Sequence, residues 1–126
     1  MKELYDRAGG KMYVVHHTDA PADPNAYQTV LSAVTGKLTV PVWFILYGEG
    51  GGNNVTQTIL LRRKTPAHFY IRQQEVNTGI CNCIFENHGS ANLYNGTSAS
   101  DIELWVTPKS ANWTWHLIMG YYLVDL

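Results

Sequence analysis

The stretch Trp113-Thr114-Trp115-His116-Leu117-Ile118-Met119-Gly120-Tyr121-Tyr122-Leu123 decides how this chain is read. Trp113, Trp115, Leu117, Met119, Tyr121 and Leu123 share one parity, with Thr114, His116, Ile118 and Gly120 interleaved. Side chains of period two belong to a strand, here one with an apolar face and a length of about 35 Å if unbroken. Gly120 is the place where it is expected to bend. The strand is expected to be central to the fold, and truncating it should unfold the domain.

The same alternation recurs upstream. Asp101 to Thr107 sets Ile102, Leu104 and Val106 on one side and Asp101, Glu103 and Trp105 on the other. Ile80 to Glu86 opposes Cys81, Cys83 and Phe85 to Ile80, Asn82, Ile84 and Glu86. Ala67 to Gln74 and Val55 to Arg62 are further strands, separated by the turn Lys64-Thr65-Pro66. Leu38 to Tyr47 is apolar on both parities, which predicts burial on both sides, between two layers or against a neighbouring subunit. Pro41 near its start argues for an edge or a bulge there. Met12 to His17 is a β-prone run, and Ala26 to Val34 fits a strand slightly better than a nine-residue helix, because it holds two valines and a threonine.

Eight or nine strands joined by Gly, Pro and Asn turns define an all-β chain, and the arrangement expected is a two-sheet antiparallel β-sandwich of jelly-roll type. Residues 1–10 end in Gly9-Gly10 and are expected to form a flexible arm, with 11–126 as one sandwich domain. A chain of 126 residues has room for one core. There is no internal repeat of the kind that builds propellers or solenoids.

Composition limits the function. Nine Lys or Arg stand against ten Asp or Glu, a net charge of −1, so no strong field draws the chain to nucleic acid or anionic lipid. The compact basic run Arg62-Arg63-Lys64 is read as a solvated turn. No stretch has the length of a membrane helix, and the N-terminal residues have no apolar segment of signal-peptide type. The expected location is therefore the cytoplasm at synthesis, with virion association as a later fate. Charged residues are only 15% of the chain, so Asn, Thr, Ser and Gln supply much of the polar surface. The three Asn-x-Thr triplets, at Asn54, Asn95 and Asn112, are put down to chance.

The side chains that carry chemistry are few. Cys81 and Cys83 face one way on their strand and are poorly placed to bridge each other. They could offer two sulfur ligands, with His68, His88 or His116 completing a set, but the reading preferred is two thiols on a packed face, with no metal and no cofactor. The Gly48 to Gly52 loop lacks the Lys-Ser/Thr ending of a phosphate cradle. His16 and His17 are adjacent and point to opposite faces, so they do not chelate as a pair. No catalytic residue is assigned; a small hydrolase would need a cleft in which His17 or His116 meets a carboxylate.

Aromatic content says more. Four tryptophans and eight tyrosines exceed what one small core readily absorbs. Trp105 is left beside Asp101 and Glu103 on a polar face, so it suits either a partner interface or a glycan platform, with Tyr94 and Asn95 near a hairpin tip as further contacts. Trp43 and Phe44, on the doubly apolar strand, are the residues expected at a subunit interface. In composition and strand length the chain is similar to the small β-sandwich modules that serve as receptor-binding, cap or decoration domains on phage particles, often as trimers. The resemblance is one of general style and carries over no residue. The first expectation is a non-enzymatic domain that associates with itself; the alternative is a lectin-like module binding cell-surface glycan.

Overall fold

The last strand, β8 (Trp113–Asp125), is hydrogen-bonded on both sides, to β1 (Tyr13–Asp19) and to β3 (Lys37–Gly50). The computed structural model describes residues 6, 8–50, 55–77, 82–87 and 98–126, with the backbone alone for 55, 73, 75–77 and 82–87. The remaining strands are β2 (Gln28–Leu31), β4 (Val55–Arg63), β5 (His68–Asn77), β6 (Asn82–Asn87) and β7 (Ile102–Thr107). They form two antiparallel four-stranded sheets, ordered β1-β8-β3-β6 and β2-β7-β4-β5. Successive strands change sheet at every connection but one, the β4–β5 turn. That connectivity is the jelly roll, as the strand pattern predicts.

The core lies between the sheets. Leu38, Val40, Val42, Phe44 and Leu46 of β3 face Ile59 and Leu61 of β4 and Ile102, Leu104 and Val106 of β7, all at most 3% exposed. Leu46 pairs with Leu117, both fully buried, and each such side chain contributes about 1.5–3 kcal/mol relative to exposure. Val30 of the short β2 also joins the core, and Ala8 packs against it from the N-terminal side.

Three ladders carry a register shift, at Thr29/Leu31, Pro41/Trp43 and Leu61/Arg62, and the last two correct the simple parities. In the β3–β8 ladder Pro41 opposes Tyr121 but Trp43 already opposes Gly120, so Val42 is an extra residue. The single parity of Trp113 to Leu123 therefore holds only to Met119; beyond Gly120 the buried places pass to Tyr122 and Val124, and Tyr121 and Leu123 are half-buried. In the β4–β5 ladder Leu61 opposes Ile71 and Arg62 opposes Phe69, which lets adjacent Tyr70 and Ile71 both sink inward.

Polar groups close the ends of the sandwich. The inward face of β4 carries Gln57 at one end and Arg63 at the other, 1% and 3% exposed. Gln57 accepts from Trp115 Nε1 at 2.9 Å and donates to the Pro108 carbonyl at 2.7 Å. Arg63 Nε donates to the Pro66 carbonyl at 3.1 Å, so within the basic run Arg63 turns inward, while Lys64 alone is exposed. Asp19 of β1, nearly buried, receives both Gln28 of β2 and Lys109, and Gln28 in turn holds His17 Nε2 at 3.0 Å. Because β1 and β2 belong to different sheets, this cluster ties the sheets together.

Candidate functional site

Outside the core, the described side chains gather on the two outer sheet faces. On the β2-β7-β4-β5 face, β7 alternates as expected: Ile102, Leu104 and Val106 are buried and Trp105 faces out, half-buried. Its indole Nε1 donates to Asn25 Oδ1 at 2.9 Å, and its ring tilts onto Tyr27 with centroids 5.1 Å apart. The Arg62 guanidinium lies 3.7 Å from the centre of the Tyr27 ring and donates from Nε to Glu103 Oε1 at 3.1 Å. Arg62 and Glu103 are register partners, and Glu103 is only 7% exposed. A continuous run Asn25, Trp105, Tyr27, Arg62, Glu103 results.

Of the residues expected at a ligand surface, Trp105 and Glu103 thus stand together. Asp101 is drawn away: its Oδ1 accepts the Ala33 amide at 2.7 Å and its carbonyl accepts Lys64 N at 2.9 Å. Tyr94 and Asn95 lie outside the described residues, as do Cys81, His88 and the side chain of Cys83. Asn25, Tyr27 and Arg62 escaped the sequence reading, because only strand pairing brings them to Trp105.

The β1-β8-β3-β6 face is richer in apolar surface. Trp43, Ile45 and Tyr47 of β3 and Ile118 of β8 point outward and are half-buried, and Val14 of β1 is 60% exposed. Trp43 donates from Nε1 to Met12 Sδ at 3.3 Å. Phe44, expected beside Trp43 at an interface, is instead a core residue at 1% exposure, its ring 5.9 Å from Tyr70. Both parities of β3 are apolar, so the sequence could not separate the inward residue from the outward one.

The same face gathers His16, His116, Glu49, Tyr47 and Thr18 from three neighbouring strands. His16 Nε2 is 3.3 Å from His116 Nδ1, and Thr18 Oγ1 is 3.5 Å from that same nitrogen. His116 Nε2 is 2.9 Å from Glu49 Oε2, and the His116 ring stacks on Tyr47 at 4.7 Å. Hydroxyl, imidazole and carboxylate in this order resemble a nucleophile, its base and an orienting group. The three strands lie side by side in the β1–β8 and β8–β3 ladders, so the group stands on the outer face of the sheet. His17 meets the Gln28 amide and not a carboxylate. Near the β4–β5 turn, burial and then Arg63 hold the His68 imidazole below its ordinary pKa.

The described residues form a jelly-roll sandwich of eight strands with two outer sheet faces. No protein-family model matches the chain, and no curated protein matches it in sequence. Among solved structures it is similar to a chain in the structure of infectious bursal disease virus Gx strain, with a TM-score of 0.52 and 8% identity. That match covers 91% of this chain and 32% of the other, so this chain spans about a third of the viral chain's length. A chain of the cyanophage Pam1 capsid asymmetric unit gives a TM-score of 0.46 at 13% identity, covering 88% and 84% of the two chains. One from the disulfide-linked pili of Bacillus endospore appendages gives 0.44 at 9%, covering 91% and 87%. At 8% identity the first likeness establishes a shared fold and no activity.

Proposed function

We propose that this chain is a non-enzymatic structural β-domain that works by association with copies of itself, as a closed oligomer such as a trimer, within a larger particle such as a virion. The observation that carries this reading is the outer face of the β1-β8-β3-β6 sheet, where Trp43, Ile45, Tyr47, Ile118 and Val14 are left partly uncovered by the described residues. Apolar surface of this kind gains about 25 cal/mol for each Å² removed from water, and a partner copy supplies that removal. Trp43 is the aromatic anchor of the surface.

The glycan reading has less to draw on. Trp105 already gives its N–H to Asn25 and part of its ring to Tyr27, and Glu103 is engaged by Arg62.

Light scattering on a size-exclusion column tests the proposal. The expected mass is a fixed multiple of 14.1 kDa, and Val14→Lys, a substitution at an exposed position, lowers it. A 14.1 kDa species at high micromolar concentration overturns it.

A further inference from the structure

We propose that His16 and His116 form a chelating site for a divalent first-row transition-metal ion of the zinc type, with Glu49 as the residue that orients His116.

Its neighbours decide which nitrogen of a neutral His116 carries the hydrogen. An ionised carboxylate can only accept, so Glu49 Oε2 at 2.9 Å requires the hydrogen of His116 on Nε2. Neutral His116 then has a bare Nδ1, and it is to this lone pair that His16 Nε2, at 3.3 Å, and Thr18 Oγ1, at 3.5 Å, are gathered. A carboxylate on the far nitrogen of a ligating imidazole fixes its tautomer and ring direction and raises its basicity. Tyr47, stacked at 4.7 Å and 15°, restricts the ring further.

The spacing fits. Two imidazole nitrogens bound to one tetrahedral Zn2+ at about 2.0–2.1 Å stand roughly 3.3 Å apart, and the His16–His116 nitrogens are 3.3 Å apart. Among the described residues no group of three or more His, Cys, Asp or Glu side chains could hold a metal ion. The site is accordingly an open two-imidazole chelate, completed by water, and of the strength that imidazole donors give zinc, copper or nickel. His16 belongs to β1 and His116 to β8, so a bound ion would clamp an edge strand to the central one.

The test is a calorimetric titration of ZnCl2 into the full chain at pH 7.5, paired with thermal unfolding with and without the metal. Saturable binding is expected, with a rise in the unfolding midpoint as metal is added. His16→Ala, a change at an exposed position, removes both effects, and Glu49→Gln weakens binding about tenfold. Absence of binding at millimolar ZnCl2 overturns the proposal. So does binding that is unchanged in His16→Ala, which would place the ion elsewhere. Tyr47 is shared with the surface proposed for self-association, so the mass of His16→Ala by light scattering, expected to be unchanged, separates loss of the metal from loss of the oligomer.

Discussion

The indole of Trp43 occupies the space above Gly120: a Cβ built on residue 120 would lie 2.0 Å from Trp43 Nε1 and 2.2 Å from Cε2. The two residues are register partners next to the Val42 bulge, so the missing side chain on β8 is what lets the tryptophan lie across the sheet. Gly120→Ala must push the indole off this seat and break its contact with Met12. The expected cost is about 1–3 kcal/mol in urea unfolding. Against a Trp43→Ala background the same change should cost much less, and equal costs in both backgrounds would mean that the two residues do not share this space.

Trp115 and Gln57 form a buried polar contact between the two sheets. Trp115→Phe takes the donor from Gln57 Oε1, at 1% exposure, and opens space beside it. A loss of about 2–4 kcal/mol is expected by chemical denaturation. Loss below about 0.5 kcal/mol would show that the amide finds another donor without cost.

Trp105 distinguishes a packed residue from a free platform. Its links to Asn25 and Tyr27 predict that Trp105→Ala lowers stability by about 2 kcal/mol, visible as a lower thermal midpoint. Arg62→Ala should cost a similar amount, about 2 kcal/mol, because it leaves Glu103 without its cation at 7% exposure. If Trp105→Ala left the midpoint unchanged and removed binding on a glycan array, the surface would belong to a ligand.

Alkaline unfolding should report Tyr70. Burial, partly opposed by Arg63, pushes its phenol from 10.0 up to about 12. Below pH 10 the hydroxyl is protonated in folded and unfolded chains alike, and its contribution is fully present. As the pH climbs towards 12 the unfolded chain gives up the proton first, and roughly 2–3 kcal/mol of stability is lost over that window. Tyr70→Phe should flatten this part of the stability-against-pH curve, and a curve of unchanged slope would contradict the assignment. Tyr121 adds a smaller effect of the same sign, raised by burial and by the neighbouring Tyr13.

Much of the architecture was legible because alternation is a local property. Ile102, Leu104 and Val106 announce their face without help from any other strand, and Trp105 falls opposite them as a result. Pro41 marked its bulge for the same reason, since a residue without an N–H disturbs any ladder it enters. What was hidden depends on register. The change of parity in β8 is set by an extra residue on β3, and Tyr121-Tyr122-Leu123-Val124 reads as apolar on either phase. Arg63 looked solvated because periodicity gives no weight to a guanidinium that turns inward to bond the Pro66 carbonyl. His16, Glu49 and His116 come from three strands and meet only once β1, β8 and β3 are aligned.

The placement of β8 between β1 and β3 also sets the order of events at the ribosome. β1 and β3 have no ladder with each other; the strand synthesised last among the eight described joins them, and β1 has no other ladder partner among the described strands. Until residues 113–125 have emerged, β6 pairs with β3 only from Trp43 to Gly48, and the opposite edge of β3, from Lys37 to Gly50, is left open to strands of other nascent chains. Native closure is thus a late, non-local step, slow in comparison with hairpin formation. A stalled or shortened translation product would be a substrate for chaperones and proteases and not a partial version of the domain.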